Sequence, residues 1–230
     1  MSEIREARLQ KAKSLVRKGF ASYAESFRIS HNTQFLIQKF DYLENGQEED
    51  FSVSIAGRVL AKRIMGKIAF FTICDQEGQI QLYLDKKIIN FNLENQKSLS
   101  FEDINEIVDI GDWIGVCGTM KKTNKGELSI KVEKWEMLSK SLQPLPDKWH
   151  GLTDIEKRYR QRYLDLIVNP QTKNVFKTRA KCISFIRKWL DDRNFLEIET
   201  PILQSEAGGA EARPFITHHN TLDIPLYLRI

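Results

Sequence analysis

The stretch RNFLEIETPILQSEAGGAEAR, residues 193–213, joins the end of a helical pattern to a strand pattern and a glycine pair. Apolar residues spaced as one helix face lead into it from about Asn174. Asn194 tolerates the left-handed conformation that ends many helices, so the helix should stop there. Residues 196–199 predict a short strand, which Pro201 ends because proline has no backbone donor.

The glycine pair Gly208–Gly209 lies between alanines, where the backbone can approach a ligand closely. By pattern alone, this region is a helix, a strand and a loop of any mixed domain. The letters are more specific: FLEIETPIL at 195–203 resembles motif 1 of class II aminoacyl-tRNA synthetases. GGAEARPFITHHN at 208–220 resembles the segment that follows in lysyl-tRNA synthetases.

Composition places the chain among globular proteins, with 230 residues, 41% hydrophobic and 29% charged. The formal net charge of +4 is compatible with a nucleic-acid partner without requiring one. The three cysteines form no C-x-x-C pair, so we expect buried free thiols at Cys74, Cys117 and Cys182. Neither a signal peptide nor a membrane span is evident, and we expect a cytoplasmic protein with no membrane partner.

The first fifty residues predict a helix and a connector. Residues 3–18 form a charged helix that Ser2 caps and Gly19 ends. This helix either docks on the domain behind it or contacts nucleic acid through Arg5, Arg8, Lys11, Lys13, Arg17 and Lys18. Residues 20–50 show no regular period, so we interpret them as an irregular connector.

From Phe51 the hydrophobic period changes to two. Five runs predict strands, at residues 51–63, 68–74, 79–84, 113–120 and 128–138. The segment 86–110 is helical in part, with a start at Ser100. Three meander strands, an intervening helix and a closing hairpin are typical of an OB-fold barrel.

OB barrels bind single-stranded nucleic acid by stacking bases on exposed aromatic rings beside a basic groove. Lys62, Arg63 and Lys67 supply positive charge near the first turn. Phe70 and Phe71 are adjacent on a strand, so one ring faces the core while the other stands outside. A Phe pair in a strand is also ordinary core packing, and the two interpretations stay open at this point.

Three stretches resemble the anticodon-binding barrel of bacterial lysyl-tRNA synthetases: RIMGK at 63–67, IQLY at 80–83 and KGELSI at 125–130. The resemblance implies that Phe70, Gln81 and Glu127, with Arg63 beside them, recognise the middle uridine of the anticodon. A Phe ring stacks on a base, a Gln amide offers a donor and an acceptor, and a Glu accepts from a base. Without the resemblance, Gln81 and Glu127 would be residues of a solvated strand face.

Residues 141–152 contain two prolines and a glycine and predict a linker. Trp149 and His150 could suggest a site, but we expect them to pack this linker against a domain. Thr153 and Glu156 have the spacing of a capping box that opens the next helix.

The basic and aromatic run at 157–166 is a nucleic-acid candidate by itself, although the resemblance implies that its charges are satisfied internally. Asn169–Pro170 breaks this helix. Runs at 215–219 and 222–230 predict two strands. His218 and His219 point to opposite faces of the first, which favours a structural or substrate-approach role over a shared metal ion.

These patterns predict an α+β chain, with a five-stranded OB-fold β-barrel followed by the beginning of a class II synthetase antiparallel-sheet catalytic domain. We expect four segments: an N-terminal helix and connector at 1–50, an anticodon-binding domain at 51–140, a linker at 141–152 and an incomplete catalytic domain at 153–230.

The resemblance implies a parent enzyme that activates lysine with ATP and Mg²⁺ and transfers it to tRNA(Lys). Gly208 and Gly209 would line the lysine pocket, and Pro201 would lie at a homodimer interface. In the family, motifs 2 and 3 and the magnesium ligands follow the position of Ile230. We therefore expect no catalytic residue and no metal ligand in this chain, which would bind tRNA without activating lysine.

Two alternatives stay open. One is a non-catalytic tRNA- or RNA-binding module derived from a synthetase, although the apolar final run at 226–230 favours an incomplete sequence. The other is an aspartate or asparagine enzyme of the same subgroup, which fits GGAEARPF at 208–215 poorly.

Overall fold

The computed structural model describes residues 3–93, 98–146 and 152–230. It divides into two compact units, residues 1–153 and 154–230. Ser2, Trp149 and His150, which the sequence singled out, lie outside the described residues. Within these ranges, no helix is both long and apolar enough to cross a membrane.

The helices and strands follow each other in two groups. The first unit contains α1 (Glu3–Arg17), α2 (Thr33–Lys39), β1 (Glu48–Met65), β2 (Ile68–Cys74), β3 (Gln79–Asp85), α3 (Lys86–Leu93), α4 (Phe101–Ile107), β4 (Trp113–Lys122) and β5 (Leu128–Ser139). The second contains α5 (Ile155–Arg160), α6 (Arg162–Val168), α7 (Pro170–Asp191), β6 (Leu203–Gln204), β7 (Ile216–His219) and β8 (Ile224–Leu228).

The five strands of the first unit form one closed sheet in the order β1-β2-β3-β5-β4, in which β4 returns to pair with β1. Four of the five pairings are antiparallel, and β3 with β5 is parallel. The 18-residue β1 pairs with β2 and with β4. Its pairing with β2 shifts register between Val59 and Ala61. Such an irregularity bends a strand and increases its twist.

Alternation along the strands separates a buried face from an outer face. In β2 and β3 every second residue is buried, as the period of two requires. Phe71 and Leu82 are fully buried, whereas Phe70 and Gln81 beside them stay partly accessible. The predicted division of the Phe pair between core and surface is therefore confirmed.

The predicted connector contains a helix that the sequence analysis missed, and β1 begins three residues before the predicted strand. Asn32 caps α2 by accepting a hydrogen bond from the Phe35 amide at 2.8 Å. Asp75, in the turn after β2, accepts from the Thr33 amide and hydroxyl, each at 2.7 Å. The hydrogen bonds between Thr33 and Asp75 span 42 residues, so sequence periodicity cannot reveal them.

The helix ends of the first unit agree with the sequence. Gly19 has a φ of 81° just after α1, as expected for a helix-ending glycine. Ser100 and Asp103 form a reciprocal capping box at the start of α4, where the sequence predicted a helix start.

A buried ion pair fixes the loop between α4 and β4. Lys140 Nζ lies 2.7 Å from Asp112 Oδ2, and both side chains are fully buried. Lys140 also contacts Asp109 at 2.6 Å, and Asp109 in turn accepts from Lys11 of α1 at 2.6 Å. This chain of charges links α1, the loop and the end of β5.

The first helix of the second unit has a different cap from the predicted one. Asp154, not Thr153, caps α5, because its carboxylate accepts from the Lys157 amide at 3.0 Å. The predicted single helix is also interrupted at Gln161, which has non-helical angles and separates α5 from α6. Asn169 and Pro170 then separate α6 from α7 as expected, with Pro170 in the first turn of α7.

The basic run of α5 and α6 is neutralised within the unit. Asp165 has a fully buried carboxylate that accepts from Arg158 at 2.9 Å and from Arg162. Arg160 pairs with Glu156 at 2.8 Å. The expectation of internally satisfied charge is confirmed for these three arginines.

The segment after α7 departs from the predicted strand. Asn194 has a φ of 62°, as its helix-ending role requires, but residues 195–200 pair with no strand in the described chain. Leu196 is 85% exposed, since no neighbouring edge covers it. The ladder begins only after Pro201, where β6 forms the edge of an antiparallel sheet in the order β6-β8-β7.

The cysteines are less buried than predicted. All three are free thiols, but Cys74 and Cys117 are only partly buried and Cys182 is exposed. Cys182 lies on α7, on the same side as Val175 and Ile186, seven and four positions away, and those side chains are themselves 64% and 53% exposed.

Replacing Lys140 by Met should lower the free energy of unfolding by about 3–5 kcal/mol, because Asp112 would stay buried without its cation. Urea denaturation of the 230-residue chain measures this loss. The exposed Lys87→Met variant is the control and should change stability by less than about 0.5 kcal/mol. Adding Asp112→Asn to Lys140→Met should recover part of the loss. If Lys140→Met were as stable as Lys87→Met, the assignment of Lys140 as the cation that stabilises buried Asp112 would be contradicted.

Acid should weaken the second unit through Asp165. Burial disfavours its charged form, yet hydrogen bonds from Asn169 and Arg158 outweigh burial and hold the pKa of Asp165 below its usual range. A depressed folded-state pKa contributes stability above the unfolded pKa of about 3.9, and this is lost as pH falls through the folded value. The stability difference between wild type and Asp165→Asn should therefore shrink between about pH 5 and pH 2. The exposed Asp191→Asn control should show no such trend; a pH-independent difference for Asp165→Asn would contradict the prediction.

Candidate nucleic-acid interface

One groove on the outer face of the closed sheet collects the four residues that the resemblance assigned to anticodon recognition. Its volume is about 540 Å³. Strands β1, β2, β3 and β4 and the β4–β5 turn contribute to its lining, which includes Arg63, Phe70, Gln81, Tyr83, Lys121 and Glu127. The structure thus brings together Arg63, Phe70, Gln81 and Glu127, which are up to 64 positions apart in sequence.

Phe70 lines this groove and is partly accessible. Tyr83, its partner across the β2–β3 ladder, meets it edge to face with ring centroids 5.7 Å apart. This arrangement is favourable for aromatic pairs and holds the Phe70 ring in one orientation. A partly accessible ring fixed in this way can stack on a base without first being ordered.

Gln81 and Glu127 line the same groove, and the parallel pairing of β3 and β5 brings their segments together. Gln81 lies opposite Ser129 in that ladder, and its Nε2 donates to Ser129 Oγ at 2.9 Å. Glu127 closes the β4–β5 turn, in which Gly126 adopts a φ of 87°. The Thr123 amide donates to the Glu127 carbonyl at 3.0 Å, and the Glu127 side chain is exposed.

The groove also contains a cation that the sequence analysis missed. Lys121 Nζ lies 4.6 Å from the centroid of the Tyr83 ring, within cation–π range. Glu48 binds Lys121 at 2.7 Å and Lys131 at 2.6 Å, and these hydrogen bonds hold the pKa of Glu48 below its ordinary value. Tyr83, the ring that Lys121 contacts, lies two positions from Gln81 and therefore on the same outward face of β3. That spacing was the sequence signal that could have added Tyr83 to the site.

Only one of the three basic residues expected near the first turn lines the groove. Lys62 points to the end of α4, where its Nζ donates to the carbonyls of Asn105 at 2.5 Å and Val108 at 2.8 Å. Burial lowers the pKa of Lys62 to about 8. Lys67 is exposed and is absent from the lining, which leaves Arg63.

Much of the basic charge on α1 has a structural role. Lys11 binds Asp109, Lys18 binds Asp103, and Arg8 donates to the carbonyls of Ser141 at 3.0 Å and Gln143 at 3.1 Å. These contacts favour the interpretation of α1 as a docked helix over that of a nucleic-acid contact.

The remaining predicted residues lie in the second unit. Gly208 has open space around it, and Gly209 has a φ of 110°, which favours glycine. Pro201 is exposed just before β6. His218 Nε2 faces Asp223 at 3.2 Å, whereas His219 Nδ1 accepts from the Leu222 amide at 3.2 Å. The two rings therefore have separate partners.

Comparison with known proteins matches both units. Residues 53–138 match a family described as OB-fold nucleic acid binding domain, and residues 154–230 match tRNA synthetases class II (D, K and N). Lysine–tRNA ligase of Prochlorococcus marinus (strain MIT 9312) is 91% identical over 230 residues, which cover 100% of this chain and 45% of that protein.

More distant relatives carry the same name. Lysine–tRNA ligases of Prochlorococcus marinus (strain MIT 9515) and Synechococcus sp. (strain CC9902) are 82% and 60% identical, again over 100% of this chain and 45% of theirs. The chain spans about half the length of the curated relatives that it matches. The chain thus carries, in order, an OB-fold nucleic acid binding domain and part of a domain of the class II tRNA synthetases (D, K and N), and it is similar over its whole length to lysine–tRNA ligases.

Proposed function

We propose that this chain supplies the anticodon-binding part and the first segment of the catalytic domain of a lysine–tRNA ligase. The observation that carries the proposal is the convergence of Arg63, Phe70, Gln81 and Glu127 on one groove. In this proposal residues 51–140 form the OB-fold barrel, 141–152 the linker and 153–230 the start of the catalytic domain. Residues 1–50 then support the barrel.

Each groove residue has a role that its chemistry supports. Phe70 stacks on the middle uridine of the tRNA(Lys) anticodon, since its ring is accessible and braced by Tyr83. Gln81 and Glu127 contact the edge of that base, because an amide and a carboxylate supply complementary donors and acceptors. Arg63, exposed at the rim, contacts the phosphate backbone.

The proposed activity of the whole protein joins lysine to ATP as an adenylate and then transfers the lysyl group to tRNA(Lys). Gly208 and Gly209 line the lysine pocket with backbone, which the open space at Gly208 supports. Mg²⁺ would neutralise phosphate charge in the first step. Among the described residues no group of His, Cys, Asp and Glu side chains could hold a metal ion, so we assign no Mg²⁺ ligand here.

We further propose a cytoplasmic homodimer, with Pro201 and the preceding helix α7 at the interface. Three apolar side chains support this surface: Phe195 is 63% exposed, Leu196 85% and Ile198 70%. Large apolar side chains exposed this close together in sequence favour a protein partner. Residues 195–200 pair with no strand of the described chain, so their backbone likewise offers an edge for pairing.

Titration with a lysine anticodon stem-loop tests the proposal. At one stated salt concentration, replacing the middle uridine or changing Phe70 to Ala should each weaken binding by about 1–3 kcal/mol. Phe91→Ala, which removes a 67% exposed ring from α3 outside the groove, is the matched control and should bind like wild type.

Equal affinity for both stem-loops, lost together as salt rises, would leave only charge attraction and contradict the assigned roles. An equal loss in the Phe91→Ala variant would place the binding surface elsewhere on the sheet.

A further inference from the structure

Ser129 connects the two residues that are proposed to read the base edge. Its hydroxyl donates to the Glu127 carbonyl at 3.2 Å and accepts from Gln81 Nε2 at 2.9 Å. The side chain of Ser129 is fully buried, so water does not compete for these bonds. The parallel register places Gln81 directly opposite Ser129, which makes the contact a consequence of the sheet itself.

Hydrogen-bond accounting fixes the direction of each bond. A serine hydroxyl has one hydrogen to donate, and Ser129 uses it on the Glu127 carbonyl. Its oxygen can then only accept from a neighbour on the Gln81 side, and an amide NH₂ is the donor that fits. The Gln81 amide is therefore held with Nε2 toward the buried hydroxyl and Oε1 on the opposite side.

The free end of the amide is an acceptor. Within the described residues, Gln81 Oε1 accepts no hydrogen bond. Among those same residues, the only buried side-chain oxygen or nitrogen without a partner is Asn105 Oδ1, so Gln81 Oε1 is not buried. Oε1 is thus accessible from the groove that Gln81 lines. An exposed acceptor held in one orientation selects a donor on the incoming base.

We propose that Ser129 is a positioning residue that sets base specificity by presenting Gln81 Oε1, and not its NH₂ group, to the base. Uracil carries an N3–H donor at the centre of its edge, whereas cytosine carries an N3 lone pair at the same place. A fixed acceptor therefore favours uridine over cytidine, while an amide free to rotate accommodates both. This inference rests on the proposed anticodon function.

Four substitutions test the role of the hydroxyl. Ser129→Thr retains the hydroxyl and Ser129→Val removes it. Because Thr and Val have nearly the same shape, the difference between these two variants reports on the hydroxyl alone. Ser129→Ala removes it without added bulk, and Gln81→Ala removes the group that is positioned. Far-UV circular dichroism and the thermal midpoint establish that each variant is folded.

The measured quantity is the ratio of affinities for stem-loops with uridine and with cytidine at the middle anticodon position. We expect the wild-type chain and Ser129→Thr to prefer uridine, and Ser129→Ala and Ser129→Val to lose about five- to tenfold of that preference, the value of one hydrogen bond. In the Gln81→Ala background, Ser129→Ala should leave the ratio unchanged. A purely structural role would lower both affinities together.

The outcomes separate this inference from the function on which it rests. If the wild type discriminates and the Ala and Val variants discriminate equally well, Ser129 positions nothing and the inference is wrong, whereas the anticodon function stands. If Thr and Val lose the preference equally, packing and not the hydroxyl is responsible, which also overturns it. If the wild type itself binds both stem-loops equally, the proposed function fails first.

Discussion

The parallel pairing of β3 with β5 is the constraint on which the groove depends. It closes the sheet, and it sets the four facing pairs that run from Gln81 and Ser129 to Leu84 and Val132. Parallel neighbours need a long connection, which α3, α4 and β4 provide. A shift of one residue in this pairing would turn the Gln81 side chain toward the core, out of the groove that Glu127 also lines.

Closure also requires a close backbone approach that only glycine permits. A Cβ on Gly118 of β4 would lie 2.0 Å from the Lys131 carbonyl oxygen of β5, far inside any real contact. The β4–β5 ladder shifts register at this point, between Cys117 and Gly118. The bulge lets β4 cross β5 closely while the residues on either side return to the alternation that builds the groove.

Sequence periodicity predicted the parts of this arrangement that depend on local spacing. The five strands, the two faces of the Phe70–Phe71 pair and the helix start at Ser100 all follow from neighbours a few residues apart. Lys62 did not, since its partners are carbonyls 43 and 46 positions away. The Gln81–Ser129 bond spans 48 positions and requires the register of the sheet, which no pattern in β3 alone contains. The predicted strand at 196–199 failed for a related reason, because alternation cannot supply a partner edge.

Photo-crosslinking tests most directly whether this groove reads the base. A lysine anticodon stem-loop with 5-iodouridine at the middle anticodon position would be irradiated with the chain, and the modified peptide identified by mass spectrometry. The account predicts attachment at Phe70 or Tyr83, whose rings lie together in the groove. Attachment within α1, or at no preferred position, would contradict it.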